Sequence, residues 1–216
     1  AGGGHSLALA ANGRVYAWGS GAYGELGDGS RTRFNRPVLL PSAAMVDVAQ
    51  VAAKRTMSMA LKSDGTVYAW GNGLYGQLGN GTTAAQRTTP VQVAAPTGQT
   101  GVLTGISQIS LGNWHALALG SNGEVYSWGR GRNGSLGNGS DTMQTRPVRV
   151  LEPGDGTTGD ALSGIVALSA GDDHSLALTS NGAVYAWGLG TSGQLGDGAT
   201  KTKLRPVQVL EPGSGT

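Results

Sequence analysis

The chain has 216 residues, 39 of them glycine, with 13 % charged residues, a formal charge of +2 and no cysteine. Glycine at about 18 %, against a usual share of about 7 %, keeps no three-residue period and has few prolines beside it, which excludes a collagen strand. The low net charge and recurring apolar clusters exclude a disordered chain, and the absence of thiols excludes disulfides and thiolate metal sites. No basic run backs the mild positive charge, so nothing points to nucleic acid.

In chain order, the first element is His5–Leu9, where Leu7 and Leu9 alternate with Ser6 and Ala8 at the period of a strand. Asn12-Gly13 follows, a pair that accepts the positive φ angles of a tight hairpin turn, and then Val15-Tyr16-Ala17-Trp18-Gly19. A glycine-rich run, Gly19 to Gly29, leads to Pro37-Val38, where the missing proline donor suits the start of an edge strand. The longest apolar stretch, Val38–Ala53, is interrupted by Pro41, Asp47 and Gln50 and is not expected to span a membrane.

The order then repeats. Tyr-x-Trp-Gly recurs at Tyr16–Gly19, Tyr68–Gly71, Tyr126–Gly129 and Tyr185–Gly188, each preceded by Asn-Gly or Asp-Gly. Later copies gain an upstream apolar segment, Val48–Val51, Ile106–Ile109 or Ile165–Leu168, and each ends in Pro-Val, at Pro90, Pro147 and Pro206. One repeat thus predicts a four-stranded antiparallel sheet whose two middle strands are apolar on both faces, as strands are when sheets stack on either side. The expected fold is all-β, a β-propeller segment over 1–216 with repeats at about 1–42, 43–96, 97–153 and 154–216. The first copy begins at the second strand of its blade, predicting about fifteen strands and an open inner edge. The chain is therefore expected to be an excised part of a longer propeller, or one completed between chains.

These residues carry a resemblance. Gly-x-x-His-Ser-Leu-Ala-Leu, Asn-Gly, Val-Tyr-Ala-Trp-Gly, Gly-x-Leu-Gly-x-Gly and Pro-Val together resemble the regulator-of-chromosome-condensation repeat, four times over nearly the whole chain. The resemblance implies a propeller, usually seven-bladed, that works through protein contacts without a cofactor. Some members act as guanine-nucleotide exchangers, and some bacterial propellers inhibit β-lactamases. Lys54 and Met57 depart from the pattern, standing where other copies have Gly112 and His115 or Gly171 and His174.

Several motifs invite a chemical reading. Gly19-x-Gly21-x-x-Gly24 matches a dinucleotide fingerprint, but another glycine turn follows where a helix would have to start, so no nucleotide cofactor is expected. His5-Ser6 and His174-Ser175 lie inside repeated strands, so these histidines are expected to pack between blades against backbone groups and to play no catalytic part. Asp155 and Asp160, or Asp172 and Asp173, offer oxygen atoms at spacings that fit no defined calcium loop. No enzyme, small-molecule substrate or metal is expected.

Function is sought where the copies differ. Trp114 is the one tryptophan outside the repeated pairs, and the turn that holds it carries Lys54-Arg55, Asn113-Trp114 and Asp172-Asp173 in successive copies. Arg130 and Arg132 mark the third glycine loop, Tyr23 and Tyr75 the first two, and Phe34 lies in a long loop. Trp, Tyr and Arg dominate binding hot spots, so these residues predict a surface for another protein or for copies of the chain itself. A non-catalytic interaction scaffold is the leading expectation, with self-assembly through open blade edges second and an exchanger-like regulator third. Four lysines against eleven arginines would suit a bacterial, secreted protein.

Overall fold

A computed structural model describes residues 1–41, 43, 45–154 and 159–211. The described residues form fifteen strands in four antiparallel sheets, one of three strands and three of four. The first blade holds β1 (His5–Leu9), β2 (Val15–Gly19) and β3 (Phe34–Leu39). The second holds β4 (Val48–Lys54), β5 (Met57–Lys62), β6 (Val67–Asn72) and β7 (Gln86–Gln92). β8 (Ile106–Leu111), β9 (His115–Gly120), β10 (Val125–Gly129) and β11 (Gln144–Arg149) make the third. The fourth is β12 (Ile165–Ala170), β13 (His174–Thr179), β14 (Val184–Gly188) and β15 (Lys203–Gln208). Each sheet is a meander, every strand pairing with its neighbours in sequence.

The hydrophobic core lies between blades. Met57, Met59, Ala69, Ile109, Ala116 and Trp128 fill the space between the second and third blades. Leu117, Leu119, Ile165, Ala177 and Trp187 do the same between the third and fourth, and Val15, Ala17, Ala60 and Trp70 between the first and second. β9 is buried along its whole length, which is why its sequence is apolar at nearly every position. The edge strands differ from expectation. Proline does not start them: Pro37, Pro147 and Pro206 lie inside β3, β11 and β15, next to register shifts that separate the edge strand from its partner. An edge strand tolerates this because its outer side needs no sheet donor. Phe34 likewise is not a loop residue. It opens β3 opposite Gly19 and packs half-buried on the core of the first two blades.

Polar ties join the blades in a fixed direction. The indole N–H of Trp70 donates to the Glu25 carbonyl of the preceding blade (3.0 Å), Trp128 to Gln77 (2.9 Å) and Trp187 to Ser135 (3.0 Å). Each indole rests on the glycine of the preceding Leu-Gly. A β-carbon at Gly79 would lie 2.7 Å from Trp128 Nε1, and Gly79 has φ +65°, so glycine is required there on both counts.

Two of the three histidines, His5 and His115, reach a backbone carbonyl through a serine hydroxyl. His5 Nε2 is 2.7 Å from Ser58 Oγ of the next blade, and that hydroxyl donates to the Glu25 carbonyl (2.7 Å). His115 and Ser175 repeat the arrangement at 2.9 Å, with Ser175 donating to Ser135 (3.1 Å). A hydroxyl has one proton, so each imidazole must donate from Nε2. Between the second and third blades both partners are exchanged together: Met57 replaces the histidine and Ala116 the serine, giving a buried apolar pair.

On the inner strands a side-chain amide clamps the next blade's backbone. Gln50 donates to the Ile109 carbonyl (3.0 Å) and accepts from its N–H (2.9 Å), and Gln108 treats Leu168 identically at 3.1 and 2.9 Å. Replacing Gln108 with alanine leaves a strand N–H and carbonyl unpaired between blades. Urea denaturation should show a loss of about 2 kcal/mol. A loss below about 0.5 kcal/mol, the level of an ordinary surface change, would mean that water replaces the clamp.

Candidate functional site

The turns between the first and second strands of each blade lie beside the glycine loops of the preceding blade, and their side chains decide what this face offers. In the third blade the turn is Gly112-Asn113-Trp114. A β-carbon at Gly112 would sit 2.3 Å from His115 Nδ1, so this glycine makes room for the imidazole. Met57 makes no such demand, and Lys54 takes the glycine's place. The second blade's strands consequently run on to a Lys54–Met57 pair, leaving a two-residue turn, Arg55-Thr56. Lys54 is therefore the end of a strand, not the turn residue the sequence pattern predicts. Arg55 at the corner has φ 49°, one of three non-glycine residues in the left-handed region among those described. A long side chain held in that sparsely populated conformation is a local cost that the tight turn imposes.

Arg55 projects over the next blade. Its guanidinium carbon lies 4.3 Å from the Trp114 ring centroid. The Trp114 and Tyr75 rings meet edge to face, 5.2 Å apart at 79°. Arg130 in turn lies 4.8 Å from the Tyr75 ring. Four residues from two blades thus form one ladder, Arg55–Trp114–Tyr75–Arg130, in which each arginine is held against an aromatic ring. A cation on a ring is worth about 0.5–1 kcal/mol at an exposed site, enough to orient a guanidinium without burying it.

The charges beside the ladder are partly spent. Lys54 Nζ reaches Asp172 of the fourth blade at 2.9 Å, and the Asn113 N–H donates to the Asp172 carbonyl at 3.0 Å. The Lys54 ammonium holds the Asp172 carboxyl below the usual carboxylate range, with the Asn113 side chain and the Arg55 charge acting the same way. This carboxylate is occupied by a cation of its own chain. On the other flank, Tyr23, 41 % exposed, and Arg55 border a cleft of about 390 Å³ that Gly3, Gly4, Ser20, Glu25 and Thr56 also line.

The structure therefore brings together Trp114, Lys54, Arg55, Asn113, Asp172, Arg130 and Tyr75, with Tyr23 across the cleft. Arg132 stands exposed in a short 3₁₀ turn, Arg132–Gly134, beyond Arg130, and Asp173 follows Asp172 on the fourth blade without joining the ladder. Phe34 belongs to the packing already described. Asp155 lies outside the described residues; Asp160 is exposed and accepts the Glu152 N–H through its carbonyl. Sequence reasoning missed the pairing of Lys54 with Asp172 across two blades, and missed that a tyrosine in one glycine loop meets the turn of the next blade. The second had a signal: Tyr23 and Tyr75 hold the same place in consecutive loops.

A family model described as the RCC1-like domain matches residues 1–215. The chain is 35 % identical over 209 residues to the E3 ubiquitin-protein ligase HERC2 of Homo sapiens, an alignment covering 95 % of this chain and 4 % of that one. Its fold is similar to that of human WBSCR16, with a TM-score of 0.81 and 29 % identity, covering all of this chain and 53 % of the other. It is also similar to Prp20p from Saccharomyces cerevisiae, described with its binding properties to Gsp1p and histones, with a TM-score of 0.74 and 25 % identity over 99 % of this chain and 50 % of that one. The chain thus spans a small fraction of the ligase and about half of each solved relative. These relatives are human and yeast proteins and lend no support to a bacterial origin.

Proposed function

Because this chain belongs to the RCC1-like domain family, we propose that it is a non-catalytic scaffold that presents the loop face around Trp114 to another protein. The observation that carries this reading is the ladder Arg55–Trp114–Tyr75–Arg130. It concentrates on one exposed face the residue types that supply most interface energy, and it fixes them in place before any partner arrives. The blades beneath are tied by buried indoles and amide clamps, so the loops sit on a rigid base. The protein binding described for Prp20p is consistent with this use of the fold.

Affinity capture with the tagged chain, followed by cross-linking, identifies a partner whose affinity can then be titrated. The double substitution Trp114→Ala, Arg55→Ala should weaken that complex by at least about 2 kcal/mol, roughly thirtyfold. Undiminished binding by a double variant that melts like the parent would place the partner on another face.

A further inference from the structure

The ladder also carries guanidinium charge that no carboxylate among the described residues pairs with directly. Lys54 is paired with Asp172, and Lys203 with Asp197 (3.0 Å). Arg55 and Arg130 rest on aromatic rings and form no ion pair among the described residues, Asp172 feeling the Arg55 charge only while bound to Lys54, and Arg132 stands exposed two residues after Arg130. A guanidinium held over a ring keeps its five N–H donors in a planar fork. That is the geometry that grips a carboxylate through two parallel hydrogen bonds. The cleft between Tyr23 and Arg55 gives a side chain of carboxylate size a place beside the first fork; Glu25 also lines it, with its own carboxylate turned to the Tyr23 N–H (2.7 Å). The fourth blade opposes this: with Asp172 paired to Lys54, Asp173 adds a further negative charge at the far end of the same row of turns. An anion is therefore drawn to the second and third blades and repelled from the fourth.

We propose that this face recognises an acidic segment of a partner protein, with one carboxylate on Arg55 in the Tyr23 cleft and a second on Arg130 and Arg132. The proposal rests on the reading of the loop face as an interaction surface and names the partner's chemistry. A carboxylate-bearing peptide is favoured over a phosphate polymer because two separated forks, interrupted by aromatic edges and bounded by aspartates, suit discrete side chains. A polyanionic backbone is better served by an unbroken basic strip.

Fluorescence anisotropy with labelled deca-glutamate, deca-glutamine and decathymidylate at physiological salt tests this on the intact chain. Deca-glutamate should bind and deca-glutamine should not. Arg55→Ala and Arg130→Ala should each weaken binding about tenfold, and Arg55→Lys about fivefold, because lysine keeps the charge and loses the fork. Arg36→Ala, an exposed arginine on the outer edge of the first blade, should change nothing, and melting temperatures confirm that all variants fold. Equal weakening by Arg36→Ala would reduce the effect to net charge and overturn the proposal. So would tighter binding of decathymidylate with the same arginine dependence, or no binding of deca-glutamate at millimolar concentration. If deca-glutamate fails while Trp114→Ala, Arg55→Ala still abolishes capture of a partner, the acidic chemistry falls and the interaction surface stands. If neither depends on these residues, both fall.

Discussion

Replacing Trp128 with alanine should remove about 3–5 kcal/mol of stability, among the largest effects expected of a single substitution in this chain. Its ring has no exposed surface, it fills the core between the second and third blades, and its N–H donates to the Gln77 carbonyl of the preceding loop. Alanine would open a cavity against Gly79 and orphan that carbonyl at once. Phenylalanine would keep most of the burial and lose only the donor, so it should cost about 1–3 kcal/mol. Guanidinium denaturation of the parent and both variants separates the two contributions. A Trp128→Ala loss under about 1 kcal/mol would show that the blades are held by their backbones and not by the indole seat. Trp114→Ala should cost little in the same assay, because that ring lies on the loop face and outside the buried core between the blades.

Acidification should destabilise the chain through His115. Burial pushes its pKa down from 6.5 to about 4, and the charges of His174 and Lys54 act in the same direction. The neutral ring fits the seam: Nε2 donates to Ser175 and Nδ1 needs no proton. In the unfolded chain the same histidine takes up a proton near pH 6.5. The stability tied to its neutral form is therefore complete above that pH and is lost progressively as pH falls from 6.5 towards 4, reaching about 3 kcal/mol at the acid end. His5, also lowered by burial but partly offset by Glu25, adds a smaller loss of the same sign. The chain contains its own control. His115→Met with Ser175→Ala reproduces the seam already present at Met57 and Ala116, and should flatten the dependence of unfolding free energy on pH over that window. An unchanged slope in the double variant would assign the acid sensitivity to other groups.

The architecture was legible because it is written four times. Asn-Gly and Asp-Gly turns, alternating strands and Tyr-x-Trp-Gly fixed the strand order, and the inner strand expected to be absent before His5 has no counterpart among the described residues. What sequence reading could not reach was relation between copies. His5 and Ser58 are 53 positions apart, and only the stacking of blades makes them partners. The same holds for the paired exchange of Met57 with Ala116, which looks like two unrelated departures until the seam is seen. At the loop face the residue types were legible and the arrangement was not. Register assigned Lys54 to the turn, whereas the loss of a glycine-seated histidine lets the strand continue through it and puts Arg55 alone at the corner. Trp114 was visible as an exception to the pattern; its position between the Arg55 guanidinium and the Tyr75 ring was not.

The directional ties have a consequence for how such blades can be rearranged. The side of a blade that faces its successor offers a loop carbonyl, an imidazole N–H and a glutamine amide. The side that faces its predecessor offers an indole N–H, a serine hydroxyl and an unpaired stretch of strand backbone. Each side complements the other and neither complements itself. Two blades brought together back to back would set indole against indole and leave every carbonyl empty. Duplication, deletion or exchange of whole blades can therefore preserve the core only when every unit keeps the same heading. A gene that grows by tandem copying in one reading direction supplies that heading automatically.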